Sequence, residues 1–96
     1  MADKTIHYSD CLKQLGNEYK EINDWFDELM WVNTEPDFGH RKYRHNMVGI
    51  EEAVKLFGEV ARDVGRVHIC RDLGGIPLNM ADFERGNFVN WKYYKD

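Results

Sequence analysis

The sequence predicts an all-α fold, a compact four-helix bundle-like domain with an aromatic C-terminal tail that is irregular or a short strand. Three observations predict it. Apolar residues return at spacings of three and four in four successive segments, glycine or proline stands at the segment ends, and 96 residues with 43% hydrophobic content suffice for one modest core but not a second domain. The expected helices cover about 5–15, 17–31, 36–57 and 64–73, the tail covers 78–96, and a single domain spans 1–96.

In the first segment Tyr8, Cys11, Leu12 and Leu15 follow the i, i+3, i+4, i+7 rule, and Gly16 supplies the stop. The second opens on Asn17, a good cap residue, and sets Ile22, Trp25, Phe26, Leu29 and Met30 on one broad stripe. Pro36 suits the first turn of a new helix and not the interior of an old one, so a boundary falls before it. The third segment is the best specified, because Tyr43, Met47, Ile50, Val54 and Phe57 alternate spacings of four and three up to Gly58. Gly49 inside it costs about 1 kcal/mol against alanine, which is either tolerated or lets another helix approach closely. The fourth directs Ile69 and Leu73 to the core and ends at Gly74-Gly75, with Pro77 shortly after.

Beyond Pro77 the pattern weakens. Asn79 can cap a short turn through Asp82 and Phe83, and the run Phe88-Val89-Asn90-Trp91-Lys92-Tyr93-Tyr94 is aromatic enough for a strand, though no second strand is evident. The tail is therefore expected to lie across the helices. The alternative is a subunit interface, in which exposed aromatics dock a protein partner or a second copy of the chain.

Composition excludes several classes of function. A net charge of -4, with 31% charged residues, gives no broad basic field for a nucleic-acid backbone or an anionic membrane. No apolar run approaches the roughly 20 residues that cross a bilayer, and Met1-Ala2-Asp3-Lys4 does not begin a signal peptide, so the expected location is the cytoplasm. Cys11 and Cys70 stand singly in apolar contexts, which reads as reduced core thiols rather than a zinc ribbon or a redox pair.

The polar groups of the third and fourth segments carry whatever chemistry there is. On a regular helix His40, Arg44, Arg41 and His45 occupy one contiguous sector, and two guanidiniums with two imidazoles can hold a carboxylate or phosphate through charge-assisted bonds. His68 and Asp72 are four residues apart, on one helix face, where they can share a divalent transition metal. Either His40 or His45 would supply a third ligand. The two lie five residues apart, about 140° round a helix, so they are not expected to reach one ion together. His7 either approaches this site or faces solvent. The same residues also permit a structural network, with Asp27 paired to Arg41 or Arg44, Asp72 to the other of those two arginines, and Arg71 a further member of the polar set.

These residues also form a composite pattern. Trp25-Phe26-Asp27, Gly39-His40-Arg41-Lys42-Tyr43-Arg44-His45, Gly49-Ile50, Phe57-Gly58 and His68-Ile69-Cys70-Arg71-Asp72-Leu73-Gly74-Gly75-Ile76-Pro77 follow one another in that order. On them the chain resembles the domain-of-unknown-function 6915 family of small bacterial and phage proteins, over roughly His7 to Phe83. Asp27, His40, Arg41, His45, His68 and Asp72 match that family's pattern. The resemblance implies that these polar residues belong together, and it implies no activity. Two features depart from it: Asn46 stands where the family pattern has a second histidine, and the chain crosses from Gly58 to Val64 without the family's longer insert.

Overall fold

The computed structural model describes residues 4–28 and 44–89. Helices α1 (Lys4–Leu15), α2 (Lys20–Asp27), α3 (Met47–Phe57) and α4 (Val60–Leu73) pack against one another. They are followed by β1 (Ile76–Pro77), α5 (Met80–Arg85) and β2 (Phe88–Val89). Among the described residues the fold is thus mainly helical, with a two-stranded antiparallel sheet at its C-terminal end. None of its helices is long and apolar enough to cross a membrane. His40, Arg41, Tyr43 and the tail aromatics Trp91, Tyr93 and Tyr94 lie outside the described residues.

Helix α4 is the central element and packs on α1, α2, α3 and β1. Its inner surface carries Ala61, Val64, Val67, Ile69 and Cys70, which join Ile22, Trp25, Phe26, Ile50 and Ala53 in one apolar cluster. Gly65 brings the helices together: a Cβ there would lie 2.8 Å from Phe26 Cζ and 2.9 Å from Ile50 Cγ1. Gly74 closes α4 in the left-handed conformation, φ 77°, and its N–H returns to Cys70 O at 2.8 Å. Both cysteines are buried, and neither is in a disulfide.

Several expected boundaries move. The second helix begins at Lys20 rather than at 17, because Asn17 Oδ1 accepts from Tyr19 N at 3.0 Å and closes a turn, and Tyr19 itself is left-handed with φ 46°. The fourth begins at Val60, four residues earlier than its apolar spacing suggested, so only Gly58 and Glu59 separate it from α3.

The central segment is not one helix through residue 46. Asn46 is extended, φ -158°, and its side chain accepts from Gly49 N at 2.8 Å, so α3 starts at Met47 from a proper N-cap. The approach that Gly49 permits is that of the Arg44 backbone, into which a Cβ would project, and not that of another helix. The residue that departs from the family's second histidine is therefore the cap that ends the bend.

The tail does find a partner strand. Asn79 Oδ1 caps α5 by accepting from Asp82 N at 2.9 Å, and the chain then returns so that Val89 pairs with Ile76 and Phe88 with Pro77. Two residues, one of them proline, are too short and too atypical a strand for alternation to reveal.

Candidate metal centre

The face that α1 turns inward is polar: His7, Asp10, Cys11 and Gln14 are its buried residues, while Leu12, expected inside, is 53% exposed. Helix α2 adds Asn23 and Asp27, four residues apart, and α4 adds His68 and Asp72 at the same spacing, so each helix presents two polar side chains one turn apart. His45 enters from the bend before α3. Donor atoms of His7, Asp27, His68 and Asp72 all lie within 4.8 Å of one another.

The contacts have a common pattern, in which imidazole Nε2 atoms converge on two carboxylates. His7 Nε2 is 3.3 Å from Asp72 Oδ1 and 3.9 Å from Asp27 Oδ2. His45 Nε2 is 2.8 Å from Asp72 Oδ2 and 3.7 Å from Asp27 Oδ1. His68 Nε2 is 3.2 Å from Asp27 Oδ1 and 3.5 Å from Asp72 Oδ2. All five side chains are buried, the most accessible being Asp27 at 9%. The rings of His7 and His68 stack with centroids 3.6 Å apart, and Phe26 closes the apolar side 5.4 Å from the His68 ring.

Hydrogen bonding fixes the state of His68. The Asn23 amide donates through Nδ2 to Glu18 O at 2.9 Å and Tyr19 O at 3.1 Å, which leaves Oδ1 facing His68 Nδ1 at 2.9 Å. That oxygen only accepts, so Nδ1 carries the hydrogen. In the neutral ring, Nε2 is then a lone pair directed at the oxygens of Asp27 and Asp72. Burial drives His68 down to about 4, with His45 and His7 adding to the effect and the hydrogen bond that a protonated Nε2 would give Asp27 opposing it, so the neutral ring is the stable form. Burial raises the two aspartates, but the facing imidazoles outweigh it, and Asp72 in particular is held well below the usual carboxylate range. Neither ring nitrogen of His7 makes a hydrogen bond of standard geometry among the described residues.

The arrangement brings His45, His68, Asp72 and Asp27 together and keeps the described arginines away. Arg44 donates to Trp25 O at 2.6 Å and Glu28 Oε2 at 2.9 Å, with its guanidinium 4.1 Å over the Trp25 ring. Arg71 makes a two-pronged pair with Asp10, at 2.6 and 2.7 Å. Among the described residues Arg44 thus pairs with Glu28 and Arg71 with Asp10, while Asp27 and Asp72 both face histidines. His45, one of the two alternatives for a third ligand beside His68 and Asp72, reaches them from the bend at residues 45 and 46. His40 and Arg41 lie outside the described residues.

His7 and Asn23 are the site residues that sequence reasoning left unassigned. A signal for each existed: His7, Cys11 and Gln14 lie at i, i+4, i+7, and Asn23 precedes Asp27 by one turn.

Among known proteins, the family model described as domain of unknown function (DUF6915) matches residues 2–91. No curated protein and no solved structure matches the chain.

Proposed function

We propose that this chain, which belongs to the family described as domain of unknown function DUF6915, binds one divalent transition-metal ion through His7, Asp27, His68 and Asp72, with His45, 2.8 Å from Asp72, as a further ligand. One observation carries the reading. With Nδ1 of His68 committed to Asn23, its Nε2 lone pair faces two carboxylate oxygens at 3.2 and 3.5 Å, and a cation between them resolves the opposition of acceptors.

The distances suit such an ion. With metal–ligand bonds of about 2.1 Å, neighbouring donors around one ion lie about 3.0–3.4 Å apart. The nitrogen–oxygen separations here run from 2.8 to 3.9 Å. Charge agrees, since two buried carboxylates are costly alone and are balanced by one divalent cation. Three nitrogens and two oxygens exceed the four ligands of a structural zinc site. They fit a five- or six-coordinate first-row ion, whose sixth position would take a water made more acidic by the metal. An anion is the weaker choice of ligand, because two carboxylates sit in the cluster and the described guanidiniums point elsewhere. Two buried thiols outside any disulfide fit a reducing compartment, which supports the cytoplasm as its location.

The second reading is a non-catalytic interaction module in which the cluster is a structural hydrogen-bond network. The 2.8 Å contact of His45 with Asp72 favours it, being a good hydrogen-bond length. Elemental analysis separates the two. Protein purified without chelators is expected to carry a stoichiometric first-row metal that His68→Ala and His7→Ala lose. At metal a hundredfold above Kd, the stabilisation is about 2.7 kcal/mol. For a chain of this size that raises the melting temperature by on the order of 10 °C. Wild-type protein that takes up no manganese, iron, cobalt, nickel or zinc, and whose melting temperature none of them raises, removes the metal reading.

A further inference from the structure

We infer that Asn23 is a positioning residue of this centre: by accepting from His68 Nδ1 it holds that ring in the tautomer whose Nε2 can bind a cation. The inference rests on the metal reading and adds to it how one ligand is prepared before any ion arrives.

The amide has little freedom to do otherwise. Asn23 is 2% exposed, and its Nδ2 is held by Glu18 O and Tyr19 O, with Cys11 Sγ 3.3 Å away. Turning the amide over would set Oδ1 against two carbonyl oxygens, exchanging two attractive contacts for repulsive ones. The carbonyls come from the turn before α2, where Tyr19 occupies a left-handed conformation uncommon for a residue with a side chain. The turn aims the amide, and the amide aims the imidazole. Without an acceptor at Nδ1, His68 would be free to move its hydrogen to Nε2 and donate to Asp27 or Asp72. That tautomer satisfies the carboxylates and cannot bind metal. Partners of this kind, on the ring nitrogen away from the metal, govern ligand orientation and affinity.

Two measurements test the role. Long-range proton–nitrogen correlation spectra of the metal-free wild-type protein at neutral pH are expected to show His68 as the Nδ1–H tautomer. Cobalt(II) affinity, read by competition with a chromophoric chelator, is expected to fall on the order of 10- to 100-fold in Asn23→Leu. It should return to within a few-fold of wild type in Asn23→Asp, which accepts from Nδ1 but cannot donate to Glu18 O or Tyr19 O. Asn23→Asp should therefore melt earlier yet bind cobalt, a split that a merely structural role would not produce. An Nε2–H tautomer in the wild-type protein overturns the inference, as does wild-type cobalt affinity in Asn23→Leu. Wild-type protein that binds no cobalt overturns the metal reading itself, and the two failures are thereby told apart.

Discussion

Helix α4 has two unlike sides. Toward α3 its buried surface is hydrocarbon: Ala61 and Val64 share one apolar cluster with Ile50 and Ala53, and Phe26 of α2 joins them at Gly65. Toward α1 and α2 the same helix packs His68 and Asp72 against His7, Asn23 and Asp27, all buried. Burial of apolar surface stabilises by about 25 cal/mol per Å², so the first side favours folding unaided. The second desolvates two carboxylates and recovers that cost only through well-placed partners or a bound cation. The difference separates labour within one helix: the α3 side favours the fold, and on the proposed reading the α1–α2 side is kept for a bound cation.

Breaking the apolar side should have the largest effect on stability and the least on binding. Ile50 is 1% exposed and wedged at Gly65, so Ile50→Ala is expected to destabilise by about 2–5 kcal/mol. Urea denaturation measures the loss. Elemental analysis of the folded fraction should find its metal content unchanged; metal lost from protein that is still folded would show that the two sides are not separable.

The same division explains what could be read in advance. The apolar side was legible, since Ile22, Trp25, Phe26, Ile50 and Ile69 lie on stripes of helical period, and Gly16, Gly58 and Gly74 stand at the expected ends. The polar side was not, because periodicity treats polar residues as the exposed complement of a stripe. On α1 that assumption puts Leu12 inside and leaves His7 unassigned, whereas Leu12 is 53% exposed and His7 1%. His68 and Asp72 were paired correctly by their spacing, a local property. Their convergence with His7, Asp27 and His45 depends on how three helices dock, and one chain's sequence does not encode that in any single window. His45 stood among the candidate ligands, but the bend that turns it inward did not show, because a wheel was drawn through Asn46, although an asparagine three residues before Gly49 is an N-cap signal.

Asn46 is where the two sides meet, since it starts α3 for the apolar packing and ends the bend that turns His45 inward. Removing its cap bond to Gly49 N in Asn46→Ala should cost about 1 kcal/mol. The effect on binding should be out of proportion to that modest loss. Without the cap, residues 44–47 can continue as helix, and the offset of a regular helix would carry the His45 ring away from Asp72. Weaker cobalt binding with a small change in melting temperature is the expected pair of results. Unchanged cobalt affinity would mean that packing against Phe26, whose ring centroid is 6.2 Å from that of His45, holds the imidazole without the cap.

The smallest effect is expected at the rim of the polar side. Arg71 stands one residue before Asp72 and pairs two-pronged with Asp10, yet its side chain is 46% exposed while that of Asp10 is 11% exposed. Solvent screening limits such a pair, and Arg71→Ala should cost no more than about 1 kcal/mol. Its value lies in what it separates. If the cluster is a cation site, removing a nearby positive charge leaves metal affinity unchanged or slightly raised, because Arg71 repels the ion and ligates nothing. If the cluster instead holds an anion, the same variant should weaken phosphate or carboxylate binding. Titrations of Arg71→Ala with cobalt and with inorganic phosphate therefore decide the sign of the charge that the centre is built to receive.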